Sequence, residues 1–188
     1  MKKKRLFIAI KIIPIRKLNE AYSDIKNELK IEKIRWVNTE NLHFTLKFLG
    51  DTDENKIPEI IESLNKVSKV NKKSNVSIFG LGEFPNINRP RVIWLGMKDY
   101  DSIKLLNNDI EQSMRLLGFE KNDYEFKPHL TIGRIKYLKN KELLKKLYAK
   151  YKSTYFQSLE VDEFQLFESD LSSGKPVYTI IEKFNLSN

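Results

Sequence analysis

The stretch His43-Phe44-Thr45-Leu46 returns later in the chain as His129-Leu130-Thr131-Ile132, and these two stretches hold the only two histidines of the sequence. Both read His, apolar, Thr, apolar. Because the side chains of a β-strand alternate between its faces, the His and Thr of each stretch would share one face while the apolar pair enters a core. Two such strands would offer two imidazoles and two hydroxyls to one cleft. The repeat therefore predicts a symmetric acid–base site suited to a phosphate ester. Two inert histidines at strand edges would explain a single stretch more easily than a matched pair.

Composition narrows the possible chemistry of this site. The chain has 188 residues, 40% of them hydrophobic, which is enough for one domain with a substantial core. It has no cysteine, so a disulfide framework, a thiolate nucleophile and a cysteine-based metal site are excluded. Two histidines are few for a zinc or iron site, although a carboxylate-rich Mg²⁺ site stays open. We expect a mechanism without cofactor or metal.

The charge balance points to a polyanionic partner. Lys and Arg number 34 against 25 Asp and Glu, which gives a net charge of +9. Nucleic acid is the natural partner for such a surface, although a Lys-rich solvated surface would look the same. The basic start followed by the apolar residues 6–10 imitates a signal peptide, but Lys11 interrupts it and we interpret it as a strand. We expect a cytoplasmic, monomeric protein that does not bind membranes.

Hydrophobic periodicity predicts alternating strands and helices. Helices are predicted over residues 15–29, 57–67, 106–117 and 142–151. Strands are predicted over residues 6–10, 34–37, 42–49, 76–81, 91–97, 129–135, 156–168 and 176–186, the last two joined by a turn at Ser172-Ser173-Gly174. These elements predict an α+β fold, a single domain over residues 1–188 made of two intimately packed, pseudo-symmetric lobes. Two mostly antiparallel sheets would line a central cleft, with the helices outside.

The chain resembles the 2H phosphoesterase superfamily, which is named for its two His-x-Thr/Ser-x motifs. Within it, the chain is similar to the RNA 2′,3′-cyclic phosphodiesterases, also called 2′-5′ RNA ligases (LigT or ThpR). Gly133 stands where many relatives carry Ala, a minor difference. The matching blocks run almost from end to end and comprise residues 5–10, 35–37, 40–50, 82–85, 90–96, 126–134 and 166–169, with Tyr178.

The resemblance implies metal-independent hydrolysis of a 2′,3′-cyclic phosphate, at an RNA end or on a nucleotide, to a 2′-phosphate. It also implies a weak, reversible 2′-5′ ligation of RNA. By the family pattern His43 is the proton donor and His129 the proton acceptor, whereas the pseudo-symmetric residues alone leave this assignment open. Thr45 and Thr131 suit hydrogen bonding to the phosphate oxygens, where they would stabilise the charge of the transition state.

Further residues are candidates for substrate binding. Arg134 is the strongest candidate for a phosphate-binding cation, and the resemblance supports it. Strict alternation would place it on the wrong face, so it needs a β-bulge; the alternative is a surface salt bridge. Lys47 shares the predicted face of His43 and is a second candidate. Aromatic side chains could stack on the base, and we favour Phe7 or Phe167 near the base and Tyr178 near the cleft.

Two other functions stay open. A different 2H enzyme, acting on a small cyclic nucleotide or on ADP-ribose 1″,2″-cyclic phosphate, would use the same catalytic residues. A non-catalytic RNA-binding module could keep the fold, although the intact His and Thr of both motifs argue against that alternative.

Overall fold

The computed structural model describes residues 2–86, 88–121, 125–172 and 174–188. Its helices are α1 (Arg16–Glu28), α2 (Ile57–Val70), α3 (Asp101–Leu116) and α4 (Lys141–Tyr151). Its strands are β1 (Lys3–Lys11), β2 (Lys33–Trp36), β3 (His43–Asp53), β4 (Ser74–Phe84), β5 (Val92–Lys98), β6 (His129–Tyr137), β7 (Tyr155–Val161), β8 (Glu163–Asp170) and β9 (Val177–Asn185).

The strands form an antiparallel sheet in the order β7-β4-β5-β6-β3-β1-β8-β9, and β2 pairs with the remaining part of the β6 edge. The α+β class is therefore confirmed. The two expected sheets are two halves of this one sheet, joined where Phe44 of β3 pairs with Leu130 of β6. We call β3, β1, β8 and β9 the His43 half, and β6, β5, β4 and β7 the His129 half.

Several elements leave one half of the sheet and pack on the other. Helix α1 follows β1 but packs against β7, whereas α3 follows β5 but packs against β3 and α2. The strands behave alike, since β4 follows α2 of the His43 half yet pairs with β5. Each half is thus completed by segments that start in the other.

Amphipathic stripes explain why the helices form and which face they bury. The buried residues of α3, for example, recur every three or four positions: Ile103, Leu106, Ile110 and Met114. That helix ends before Gly118, whose φ of +83° is the left-handed conformation that favours glycine after a helix. Helix α4 is capped by Asn140, whose side chain accepts hydrogen bonds from the backbone N–H groups of Glu142 and Leu143. No helix in the described ranges is long and apolar enough to cross a membrane.

The single strand predicted over residues 156–168 is wrong. The structure has two strands, β7 and β8, which separate at Asp162 and lie in opposite halves of the sheet. The buried apolar positions change phase at this point, because Phe164 follows Val161 by three residues, and the prediction of one strand overlooked that change. The predicted turn at 172–174 includes Ser173, which lies outside the described residues.

Candidate active site

The two motifs lie side by side at the centre of the sheet. Phe44 and Leu130, the second residue of each motif, pair directly across β3 and β6 and are both fully buried. Continuing this antiparallel register by one residue sets His43 opposite Thr131, and Thr45 opposite His129. The four polar side chains therefore share one face of the sheet, which we call the motif face. A pseudo-twofold axis passes through the Phe44–Leu130 pair.

Each histidine is oriented by a backbone carbonyl two residues before it. Nδ1 of His43 lies 2.7 Å from the oxygen of Asn41, and Nδ1 of His129 lies 2.8 Å from the oxygen of Lys127. Because a carbonyl oxygen only accepts, Nδ1 must carry the hydrogen in both rings. In each neutral imidazole Nε2 is then the unprotonated nitrogen, which is the atom available to a substrate.

Burial lowers the pKa of both histidines below the ordinary value of 6.5. The hydrogen bonds to Asn41 and Lys127 act in the opposite direction, while the positive charge of Arg134 lowers the pKa of both rings further. At neutral pH the unliganded site therefore holds two neutral imidazoles. A bound phosphate anion would favour protonation of one of them.

Matching β-bulges follow the two motifs. In β6, Trp94 pairs with Thr131 and Ile93 with Gly133, so Ile132 has no partner on β5. In β3, Ala9 pairs with Thr45 and Ile8 with Lys47, so Leu46 has no partner on β1. Each bulge reverses the alternation of the residues that follow it.

The bulge after Thr131 brings Arg134 to the motif face, where its charge acts on both histidines and on Tyr178. The β-bulge that Arg134 needs in order to face the site is therefore present. Among the described residues, neither threonine hydroxyl of the motifs has a hydrogen-bond partner, so both are available to a ligand.

The bulge after Thr45 has the opposite effect on Lys47, and the prediction that Lys47 faces the site was wrong. Its side chain is fully buried, with Nζ 2.6 Å from Oε2 of Glu111 on α3. The ammonium also donates to the backbone oxygen of Glu120 over 2.8 Å. Phe48 occupies the position on β3 that Arg134 occupies on β6, and it is 61% exposed.

Aromatic rings surround His43. Its ring centroid lies 5.0 Å from that of Phe7, 5.3 Å from that of Tyr178 and 6.4 Å from that of Phe167. Phe7 and Phe167 stack on each other, and they are only 3% and 5% exposed. Phe48, at 6.1 Å from Phe7, is therefore the ring of this group with an open face. Strict alternation without the bulge after Thr45 would place Phe48 on the buried face, so the sequence pattern alone does not show its orientation.

The surroundings of His129 are more polar. Its ring contacts Phe84 edge to face at 4.9 Å and lies 6.3 Å from Trp94. The ammonium of Lys127 lies over both of these aromatic rings, at 5.6 and 5.3 Å. Phe84 and Lys127 lie in blocks that match the family, but neither was assigned a role from the sequence because both lie outside the two motifs.

The described part of the chain contains no group of three or more His, Cys, Asp or Glu side chains that could hold a metal ion. The arrangement provides two imidazoles, two hydroxyls and one guanidinium on a common face. These groups are equipped for proton transfer and for binding a phosphate.

Comparison with known proteins gives consistent matches. The family model of the LigT-like phosphoesterases matches residues 13–94 and 96–178. The RNA 2′,3′-cyclic phosphodiesterase of Methanocaldococcus jannaschii is 36% identical over 180 residues, covering 96% of this chain and 99% of that protein. The protein of the same name from Archaeoglobus fulgidus is 37% identical over 181 residues, with coverage of 96% and 99%.

Solved structures share the fold. A protein of Thermus thermophilus superposes with a TM-score of 0.79 at 25% identity, covering 97% of both chains. Escherichia coli LigT in complex with 3′-AMP gives a TM-score of 0.75 at 23% identity, covering 99% of both chains.

Proposed function

The chain belongs to the LigT-like phosphoesterase family, and we propose that it hydrolyses the 2′,3′-cyclic phosphate at RNA ends to a 2′-phosphate. The observation that carries this conclusion is the pairing of the two motifs about one axis, with each histidine oriented through Nδ1. The relatives named RNA 2′,3′-cyclic phosphodiesterase support the same substrate.

The reaction needs a base and an acid on opposite sides of phosphorus, because water must attack in line with the leaving oxygen. Nε2 of His129 takes a proton from water as the new O–P bond forms. Nε2 of His43 gives a proton to the ribose 3′ oxygen as its bond to phosphorus breaks. The products are a 2′-phosphate and a free 3′-hydroxyl. Exchange of protons with solvent then restores both imidazoles.

The remaining polar groups stabilise the charge on phosphorus. Thr45 and Thr131 donate hydrogen bonds to the non-bridging oxygens, and the guanidinium of Arg134 compensates their negative charge. The exposed ring of Phe48 offers the terminal base a stacking surface, while buried Phe7 supports it from below. Tyr178 borders the ribose beside His43. All of these groups come from one chain, so a single chain is sufficient to form the site.

Ligation keeps the same two roles: a 5′-hydroxyl in place of water loses its proton to His129 and attacks phosphorus, while His43 protonates the leaving 3′ oxygen. Cleavage of the 2′-5′ bond exchanges the roles: the 3′-hydroxyl loses its proton to His43 and attacks phosphorus, re-forming the cyclic phosphate, while His129 protonates the leaving 5′ oxygen. The same site therefore supports a weak 2′-5′ ligation of RNA ends.

The decisive experiment measures hydrolysis of a cyclic-phosphate-ended RNA in EDTA and identifies the product isomer. His43→Ala and His129→Ala should each lower the rate on the order of 10²–10⁴-fold. Arg16→Ala, which removes an exposed residue that pairs with Glu20 of the same helix, is the matched control and should keep full activity. ADP-ribose 1″,2″-cyclic phosphate and cyclic mononucleotides are the competing substrates. A rate that is indifferent to both histidines, or a preference for one of these small substrates, would contradict the proposal.

A further inference from the structure

Arg35 lies directly beside Arg134 on the motif face. Strand β2 pairs with β6 so that Arg35 is opposite Arg134 and Trp36 is opposite Gly133. Directly opposed residues of an antiparallel pair share a face of the sheet. The alternate residues of β2, Ile34 and Trp36, approach Gly133 from the other face, at 3.0 and 3.1 Å from the position of an added Cβ. Arg35 therefore extends the cationic surface that begins at Arg134.

Two guanidiniums in directly opposed positions repel each other unless an anion lies between or beside them. Across the described ranges, neither Arg35 nor Arg134 takes part in an ion pair with a carboxylate. The protein thus holds two like charges together without compensating them itself. An external anion would supply that compensation.

The Arg35 side chain is held in place by the opposite half of the sheet. Its Nη2 donates a hydrogen bond of 2.8 Å to the backbone oxygen of Gly174, in the connection between β8 and β9. Beside it, the Asn41 side chain donates to the oxygen of Pro176 over 3.4 Å. Since a guanidinium has five N–H donors, Arg35 keeps donors for a ligand after this bond.

The position of Arg35 relative to His43 gives the direction of the bound RNA. Tyr178 lies against the ring of His43, and the charges of both Arg35 and Arg134 act on its hydroxyl. If His43 protonates the 3′ oxygen, the ribose lies on this side of phosphorus. The 5′ oxygen of that ribose leads to the preceding phosphodiester of the chain, which a cyclic mononucleotide lacks.

We propose that Arg35 binds the phosphodiester on the 5′ side of the terminal nucleotide, and that it thereby selects RNA ends over cyclic mononucleotides. The inference rests on the function proposed above. Arg134 serves the reacting phosphate, close to both histidines, and Arg35 serves the next phosphate along the strand. The planar fork of a guanidinium suits a phosphodiester, whose two non-bridging oxygens accept two parallel hydrogen bonds.

The test compares kcat/KM for two substrates: a dinucleotide ending in a 2′,3′-cyclic phosphate, and the matching nucleoside 2′,3′-cyclic phosphate. Arg35→Gln should lower the value for the dinucleotide by roughly 10- to 100-fold, the size expected for a hydrogen-bonded charge. It should change kcat/KM for the mononucleotide by no more than about twofold, since that substrate has no second phosphate. Arg35→Lys should restore part of the loss because it keeps the charge.

Two comparisons make the result specific. Lys33→Gln removes an equal charge from an exposed position of the same strand and should leave kcat/KM unchanged for both substrates. Removing one phosphate contact should also reduce the slope of log kcat/KM against log salt by about 0.7 for the dinucleotide. The proposal would be overturned if Arg35→Gln had no effect, or if it lowered kcat/KM equally for both substrates. Wild-type protein inactive on both substrates would contradict the phosphodiesterase function instead. In that case equilibrium binding of the two ligands, with and without Arg35, still decides the role of this residue.

Discussion

The buried ion pair behind the first motif gives a quantitative test of the structure. Lys47 is fully buried and Glu111 has 12% of its side chain exposed, with 2.6 Å between Nζ and Oε2. Replacing Glu111 by Gln removes the negative charge and keeps the shape. The ammonium of Lys47 then stays in the interior with the carbonyl of Glu120 as a neutral acceptor. Removing one partner of a buried pair costs about 3–5 kcal/mol, and we expect Glu111→Gln near the lower end.

The matched variants separate charge burial from loss of packing. Lys47→Met removes the charge and keeps most of the side-chain volume, so combining it with Glu111→Gln leaves no buried charge. We expect the double variant to be more stable than Glu111→Gln alone by about 2 kcal/mol.

Urea unfolding is the appropriate assay, with the change read from the midpoint at constant m value. A loss of less than about 1 kcal/mol in Glu111→Gln would refute the reasoning, because an exposed pair would give that value. So would a double variant as unstable as Glu111→Gln, because the loss would then be one of packing.

Further expected outcomes concern the histidines and the packing around them. The profile of kcat/KM against pH should be bell-shaped, and a flat profile between about pH 5 and pH 9 would rule out the paired-histidine mechanism. Arg134→Gln should lower the rate and move both limbs of the profile to higher pH, because the charge of Arg134 lowers the pKa of both His43 and His129. The free energy of unfolding should fall as the pH drops below 6.5 towards the lowered pKa values, because the histidines bind protons more readily in the unfolded chain than in the folded one. Replacing both histidines by Gln should make the urea midpoint less dependent on pH across that window. Gly82→Ala should lower the free energy of unfolding in urea by roughly 1–3 kcal/mol, because the new Cβ would clash with Cζ2 of Trp94 and displace the indole that packs near His129. An unchanged urea midpoint would show that Trp94 does not pack in this way.

The motifs could be placed from the sequence because alternation within a strand is a strong physical constraint. The spacing of His and Thr predicted a shared polar face, and the structure has it in both strands. Alternation fails one residue later, at the bulges. The prediction for Arg134 allowed for a bulge, whereas the one for Lys47 did not. Because the two motifs are pseudo-symmetric, the irregularity needed after Thr131 also occurs after Thr45, where it buries Lys47 and exposes Phe48.

Strand pairing could not be derived from the sequence pattern. The apolar positions change phase at Asp162, from Leu159 and Val161 to Phe164 and Leu166, but this change does not show that β7 and β8 lie in different halves. Alternation reports which face of a strand is buried, and it carries no information on the neighbour to which that strand bonds. The role of Arg35 is hidden for the same reason, because it depends on β2 pairing with β6.

The exchange of segments between the two halves has a consequence for the origin of such a chain. Helix α1 and strand β4 complete the His129 half, whereas α3 and β8 complete the His43 half. The whole protein therefore has the architecture of a domain-swapped dimer fused into one polypeptide. A half-length precursor with one motif would have left its apolar sheet uncovered as a single copy. It could have assembled the two-histidine centre only as a homodimer, with the centre on the molecular twofold axis.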